Sequence, residues 1–172
     1  MSVQRTSAQQ ASAQQMSAQQ RGNGSRIVAG VDGSPSSLSA LQWAVGQAGL
    51  TGATVEAVIA WHYPVAVGGY GYTPVDMTQA GGDFKEIAEK IVADAISNTA
   101  GQGGDVRLQA RVAEGNPAQV LLDAAAGADL LVVGSRGHGG FTEALLGSVS
   151  QHCVHHAPCP VVIIRGEPRE SS

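Results

Sequence analysis

Lysine is nearly missing from this chain: Lys85 and Lys90 are the only two in 172 residues. A phosphate-binding loop of the Walker type needs a lysine after its glycines, so that chemistry is excluded at every glycine-rich turn the sequence holds. Cysteine is equally scarce. Cys153 and Cys159 are too few for a disulfide scaffold and read as reduced thiols. No apolar run approaches the roughly 18 residues of a membrane-spanning helix. The N-terminus has no apolar core of the secretory kind, which points to the cytoplasm. A net charge of −4 provides no general attraction to nucleic acid or to an anionic membrane, so neither is expected as a partner.

What remains is a soluble globular composition, 43% hydrophobic with 14% charged residues, on a length that suits one domain. Residues 1–25 stand apart. TSAQQ, ASAQQ and MSAQQ repeat one pentapeptide over residues 6–20, with no apolar face to dock a helix, and the segment reads as a disordered low-complexity tail. Residues 166–172 form a polar C-terminal tail, which leaves 26–165 as the folded domain.

Within that domain strands and helices alternate. Ile27–Val31 is a short apolar run followed by Asp32-Gly33-Ser34-Pro35, where Ser34 caps a helix and Pro35 takes its first position. Leu41, Ala44, Val45 and Ala48 give that helix one buried stripe, and Gly49 to Gly52 end it. Thr54–Ala60 is a second strand. Trp61–Gly82 holds all three tyrosines and no period, as a lid, a binding loop or a disordered segment would. Phe84, Ile87, Ala88, Ile91 and Ala95 mark the next helix, Val106–Val112 a strand, and Asn116-Pro117 the cap of a helix bearing Val120, Leu121, Ala124 and Ala125. Asp129–Val133 is the fourth strand, about Ser148–His156 a helix, and Pro160 to Ile164 the last strand. This order predicts an α/β domain, a five-stranded parallel sheet with helices on both faces. Ligands of such sheets lie beyond the carboxyl ends of the strands, where the strand order reverses. If the first and fourth strands are neighbours there, Asp32 faces the loop after Val133.

That loop is glycine-rich. Gly134 ends the strand, Gly137 follows, and Gly147-Ser148 opens a helix with Val149 and Ser150 on its first turn. Glycine lets the chain approach an anion closely, and backbone N–H groups at a helix start give it donors without lysine. A site lacking a lysine and an evident water-activating base holds a nucleotide better than it cleaves one. Each residue also has a plainer reading: Asp32 as a turn or cap aspartate, Arg136 as a solvated arginine. His152, Cys153, His155, His156 and Cys159 cluster near the end of the chain. His152 and His156 are spaced to share a helical face, but Cys153 continues an apolar stripe with Leu145 and Val149. No ligand set is complete, so no metal is expected.

The spacing Gly134-x2-Gly137-x9-Gly147-Ser148 resembles the G-x2-G-x9-G-[ST] signature of the ATP-binding branch of the universal stress protein family. The likeness extends to IVAGVDGS and to HAPCPVVIIR. It implies a Rossmann-like, adenine nucleotide alpha hydrolase-like sheet in strand order 3-2-1-4-5, and a single-domain, ATP-binding regulatory module of the stress response. It further implies that Asp32 contacts the ribose or a magnesium carried by the phosphates. By the same resemblance Gly30 and Ala60 line the adenine, Val133 lies beside the sugar, and Gly134, Gly137, Gly147, Ser148, Val149 and Ser150 hold the triphosphate. Family members resemble homodimers joined through the last strand, Pro160 to Ile164, and a protein partner would read the bound state. Two other functions stay open: a slow ATPase using His138, and a nucleotide-independent dimeric scaffold or holdase.

Overall fold

The computed structural model describes residues 24–62, 80–102, 104–137 and 146–166. The pentapeptide repeats, most of the Trp61–Gly82 connection, His138, Leu145 and residues 167–172 lie outside them.

Five strands, β1 (Arg26–Gly30), β2 (Thr54–Trp61), β3 (Leu108–Glu114), β4 (Leu130–Gly134) and β5 (Val161–Ile164), form one parallel sheet in the order β3-β2-β1-β4-β5. Four helices connect them: α1 (Pro35–Thr51), α2 (Ala80–Thr99), α3 (Pro117–Ala125) and α4 (Ser148–His156). The helices fall on opposite faces because successive strand side chains alternate. Ile27, Ala29, Val55, Ala57 and Val132 pack under α1 and α2, which contribute Leu41, Val45 and Val92. Val28, Val58, Leu131 and Val133 face α3 and α4, which contribute Leu121 and Cys153. A strand buried on both sides reads as a continuous apolar run, as β1 and β4 do.

The caps expected at Ser34 and Asn116 are formed. The Ser34 hydroxyl accepts from the Ser37 N–H, and Asn116 Oδ1 accepts from the N–H groups of Ala118 (3.0 Å) and Gln119 (3.3 Å). Gly52 closes α1 in the left-handed conformation (φ 72°) and donates to the Ala48 carbonyl.

Several boundaries differ from the sequence reading, each for a tertiary reason. Gly49 stays helical, since the stop is set by the left-handed Gly52. Strand β3 starts at Leu108 rather than Val106 because its pairing begins opposite Val55 of β2. Asp129 precedes β4; its carboxylate instead accepts from Ser25 Oγ and the Arg26 N–H. On α2, Ile87 is 54% exposed and Val92 takes the buried place expected of it. Across the near end of the sheet, Glu56 of β2 pairs with Arg26 of β1 and, at 3.8 Å, with Arg111 of β3. Arg26 also donates to the Ala126 carbonyl at the end of α3.

Gly30 marks the tightest helix–sheet contact. A Cβ there would lie 3.1 Å from Leu121 Cδ1 and 3.2 Å from Val133 Cγ1, so α3 rests directly on the β1 backbone. Overfilling a packed core costs about 1–3 kcal/mol. Gly30→Ala is therefore expected to lower unfolding free energy by about that much, read from urea denaturation midpoints. Gly46→Ala is the control, because a Cβ there meets nothing within 4 Å.

Candidate functional site

The strand order reverses between β1 and β4, which pair through Ile27–Leu130 and Ala29–Val132. β1 leads outward to β2 and β3, and β4 leads to β5 on the other side. The two segments leaving the reversal, Val31–Ser34 and Ser135–Gly137, consequently run beside each other. A Cβ built on Gly137 would fall 2.5 Å from Asp32 Oδ2. Asp32 and the glycine loop share one crevice, as the sequence pattern requires for a ligand at this edge.

The two oxygens of Asp32 divide the two readings the sequence left open. Oδ1 accepts from the Ser34 N–H (2.9 Å) and the Ser34 hydroxyl (2.5 Å), shaping the turn that opens α1. Oδ2 receives no donor from the described residues and points to the Gly137 backbone.

The loop is held against α1 by serines. Ser36 Oγ donates a short hydrogen bond to the Arg136 carbonyl, and Ser34 Oγ lies 3.4 Å from the same oxygen. Gly134 permits this approach: its Cβ would sit 2.6 Å from Ser36 Oγ and 2.8 Å from the Ser36 carbonyl carbon. Ser36 was not anticipated. Its only local signal is a serine-rich helix start, whereas its partner lies far along the chain.

Helix α4 starts at the same place. The Gly147 N–H donates to the Ser135 carbonyl (2.8 Å), and the first bond within the helix runs from the Gln151 N–H to Gly147 O (2.9 Å). Helix geometry thus leaves the N–H groups of Ser148, Val149 and Ser150 without intrahelical partners. Gly147 supplies no capping side chain, and the first turn carries no acidic residue. The result is an uncapped, positively polarised helix end beside the glycine loop.

Ser150 Oγ is buried and donates to the Gly134 carbonyl at 2.6 Å, so the hydroxyl ties α4 to β4 and only the N–H remains for a ligand. Val133 is 3% exposed, and its side chain packs in the core with Leu121 and Gly30, which leaves its backbone at the crevice edge. The same packing covers Gly30 on its Cβ side. Ala60 is half-buried on that face, two residues past Val58, the partner of Gly30. Ser148 is exposed and Val149 half-buried against the α3-side core. Arg165 and Gly166 follow β5, and a Cβ on Gly166 would approach Ser36 to 3.3 Å. The chain beyond β5 therefore crosses the start of α1.

Cys153 is a core residue. Burial pushes its thiol up to about 11, which leaves it a poor nucleophile and a poor metal ligand. Burial also raises the Cys159 thiol, with Arg26 lowering it and Asp129 raising it. Among the described residues no group of three or more His, Cys, Asp or Glu side chains is arranged to hold a metal. A half-open hollow of about 750 Å³, lined by Gly49, Thr54, Asp105 and Arg107, lies where β2 begins, at the opposite end of the sheet from Asp32.

The family model described as the universal stress protein family matches residues 24–165. A universal stress protein of Mycolicibacterium smegmatis is 36% identical over 148 residues, covering 82% of this chain and 48% of the relative. The chain spans about half the length of the curated relatives it matches. Among solved structures, the universal stress protein UspA from Lactobacillus plantarum superposes with a TM-score of 0.68 at 22% identity, covering 82% of this chain and 97% of that one. A universal stress protein crystallised in complex with cAMP gives a TM-score of 0.61 at 27% identity, covering 83% of this chain and 98% of that one.

Two glycine substitutions separate packing from site geometry. The Cβ of Gly134→Ala meets backbone atoms of α1, which cannot step aside, and a loss of about 1–3 kcal/mol of stability is expected. The Cβ of Gly137→Ala meets only the Asp32 carboxylate, which can rotate, so the stability loss should be clearly smaller. Denaturation of both variants in parallel checks the order. A second measurement tests Cys153. A thiol held protonated in the fold beyond its ordinary value contributes stability that is fully present below about pH 9 and is lost towards about pH 11. Cys153→Ala should lack that part of the alkaline decline.

Proposed function

The chain belongs to the universal stress protein family, and from that premise we propose that the crevice between β1 and β4 binds an adenine nucleotide, with ATP as the ligand. The observation that carries the reading is the convergence of Asp32 Oδ2, the Gly137 backbone and the uncapped start of α4 on one edge of the sheet. A phosphate chain suits that arrangement because main-chain N–H groups and a helix dipole supply the positive potential. The cAMP held by the structure at 27% identity supports adenine as the base.

In this reading the N–H groups of Gly137, Ser148, Val149 and Ser150 hold the triphosphate, with Gly134 and Gly147 allowing the close approach. Asp32 Oδ2 takes the ribose hydroxyls or a magnesium ion carried by the phosphates, while Oδ1 keeps the turn. Ala60 and the backbone of Gly30 and Val133 flank the base and sugar. Both lysines of the chain sit on α2, under the opposite sheet face from α4. With no lysine to neutralise charge on a leaving phosphate, the donor set favours holding ATP over cleaving it. The module then acts by differential binding: ATP stabilises one arrangement of the loops, and a protein partner responds to that arrangement. The outer edge of β5, which among the described residues pairs only with β4, is where a second copy would join to form a homodimer.

The test uses the purified full chain. Acid or heat denaturation followed by chromatography should release adenine nucleotide, and added ATP should raise the melting temperature of nucleotide-free protein. At an ATP concentration of about 100 times Kd the gain is about 2.7 kcal/mol. Asp32→Asn keeps the turn acceptor and should weaken ATP without unfolding the protein. Protein that carries no nucleotide and whose melting ignores ATP would sink the reading in favour of a nucleotide-independent scaffold.

A further inference from the structure

The C-terminal half of α4 carries a feature that the nucleotide crevice does not use. His152 and His156 are both exposed and lie one turn apart on the same face. Their ring centroids are 4.3 Å apart with the planes inclined by 22°. His156 Nδ1 lies 3.0 Å from the His152 carbonyl oxygen. A carbonyl only accepts, so Nδ1 is the donor, and in the neutral ring of His156 the lone pair is on Nε2. Bonding one ring nitrogen to a carbonyl is how proteins orient an imidazole as a metal ligand. His155 meets His156 edge-on at 6.3 Å and belongs to the neighbouring face.

We propose that His152 and His156 form a surface site for a borderline divalent cation of the first transition row, of the Ni²⁺, Cu²⁺ or Zn²⁺ class. The rings stack on one face of the helix, and rotation of exposed side chains onto one ion is fast. Two imidazoles with water completing the shell select these ions over Mg²⁺ and Ca²⁺, which prefer oxygen donors. The site lies among the C-terminal carbonyls of α4, where the helix dipole favours a cation. Cys153, although only three residues from His156, takes no part, because it is buried in the core. The inference rests on α4 alone and is independent of what the crevice binds.

The experiment titrates the full untagged chain with NiCl₂ by isothermal calorimetry, in excess Mg²⁺ and Ca²⁺. One saturable site is expected, reversed by free imidazole. His152→Ala and His156→Ala should each weaken it by about tenfold or more, the scale on which support for a metal ligand registers. His155→Ala should leave it within about twofold. Alanine favours an exposed helix position, so the variants are expected to fold, and circular dichroism verifies it. Cu²⁺ bound to the wild type should show coupling to two imidazole nitrogens in its electron paramagnetic resonance spectrum. Absence of saturable Ni²⁺ binding, equal weakening by all three substitutions, or undiminished binding in the His152 and His156 variants would each overturn the proposal.

Discussion

The contact on which the site depends is made between main-chain atoms, where the start of α1 meets the loop after β4. Ser36 and Ser34 present hydroxyls to the Arg136 carbonyl, and Gly134 lacks the one atom that would keep the two segments apart. A Cβ at 2.8 Å from a backbone carbon cannot be accommodated by a rotamer change. The glycine is therefore a distance constraint, and its consequence reaches beyond itself. With the loop seated on α1, Gly137 is brought against Asp32 Oδ2, and Gly147 can hydrogen-bond Ser135 so that α4 begins at the same edge. Asp32, by bonding Ser34 with its other oxygen, fixes the opposite wall of the crevice.

Binding through such a set differs from binding through basic side chains. An arginine or lysine brings charge on a long, mobile stem, and ordering it has an entropic cost. Backbone N–H groups at a helix start are ordered by the fold itself. Here Ser150 anchors the first turn of α4 to Gly134 and Cys153 buries the middle of the helix, so the donors are held before any ligand arrives.

The parts of this architecture that were legible in the sequence are those decided locally. Ser34-Pro35 and Asn116-Pro117 announce their helices because a cap is a contact between near neighbours. The strand order came from the family resemblance, and the meeting of Asp32 with Gly137 was expected only if the first and fourth strands were neighbours, as they are. Choices made by distant partners were not legible. The start of β3 is set by where β2 begins, and the packing of the Val133 side chain by a helix docking on Gly30. Ser36 was hidden for the same reason, since nothing near it reveals a carbonyl 100 residues away. Asp32 reads from the sequence as a cap or a ligand; one oxygen makes the turn and the other faces Gly137, a distinction no residue pattern encodes.

The loop and the free sheet edge are joined by a short mechanical path. Gly134 pairs with Ile164 across the β4–β5 ladder, and the Ser135 N–H, the last before Arg136, donates to the Ile164 carbonyl at 2.7 Å. Gly166, two residues further, lies against Ser36, which itself holds Arg136. A ligand that tightened the Ser135–Gly137 segment would thus act on β5 from both ends of one small circuit, through Ile164 and through Ser36. The helices cannot take up that movement, being fixed by Leu41 and Cys153 in close-packed cores on the two faces. Among the described strands β3 and β5 both have an outer edge, and β5 is the one tied directly to the loop. In a sheet of this order the crevice between β1 and β4 lies one strand away from the outer edge of β5, and the Ser135–Ile164 hydrogen bond joins the two.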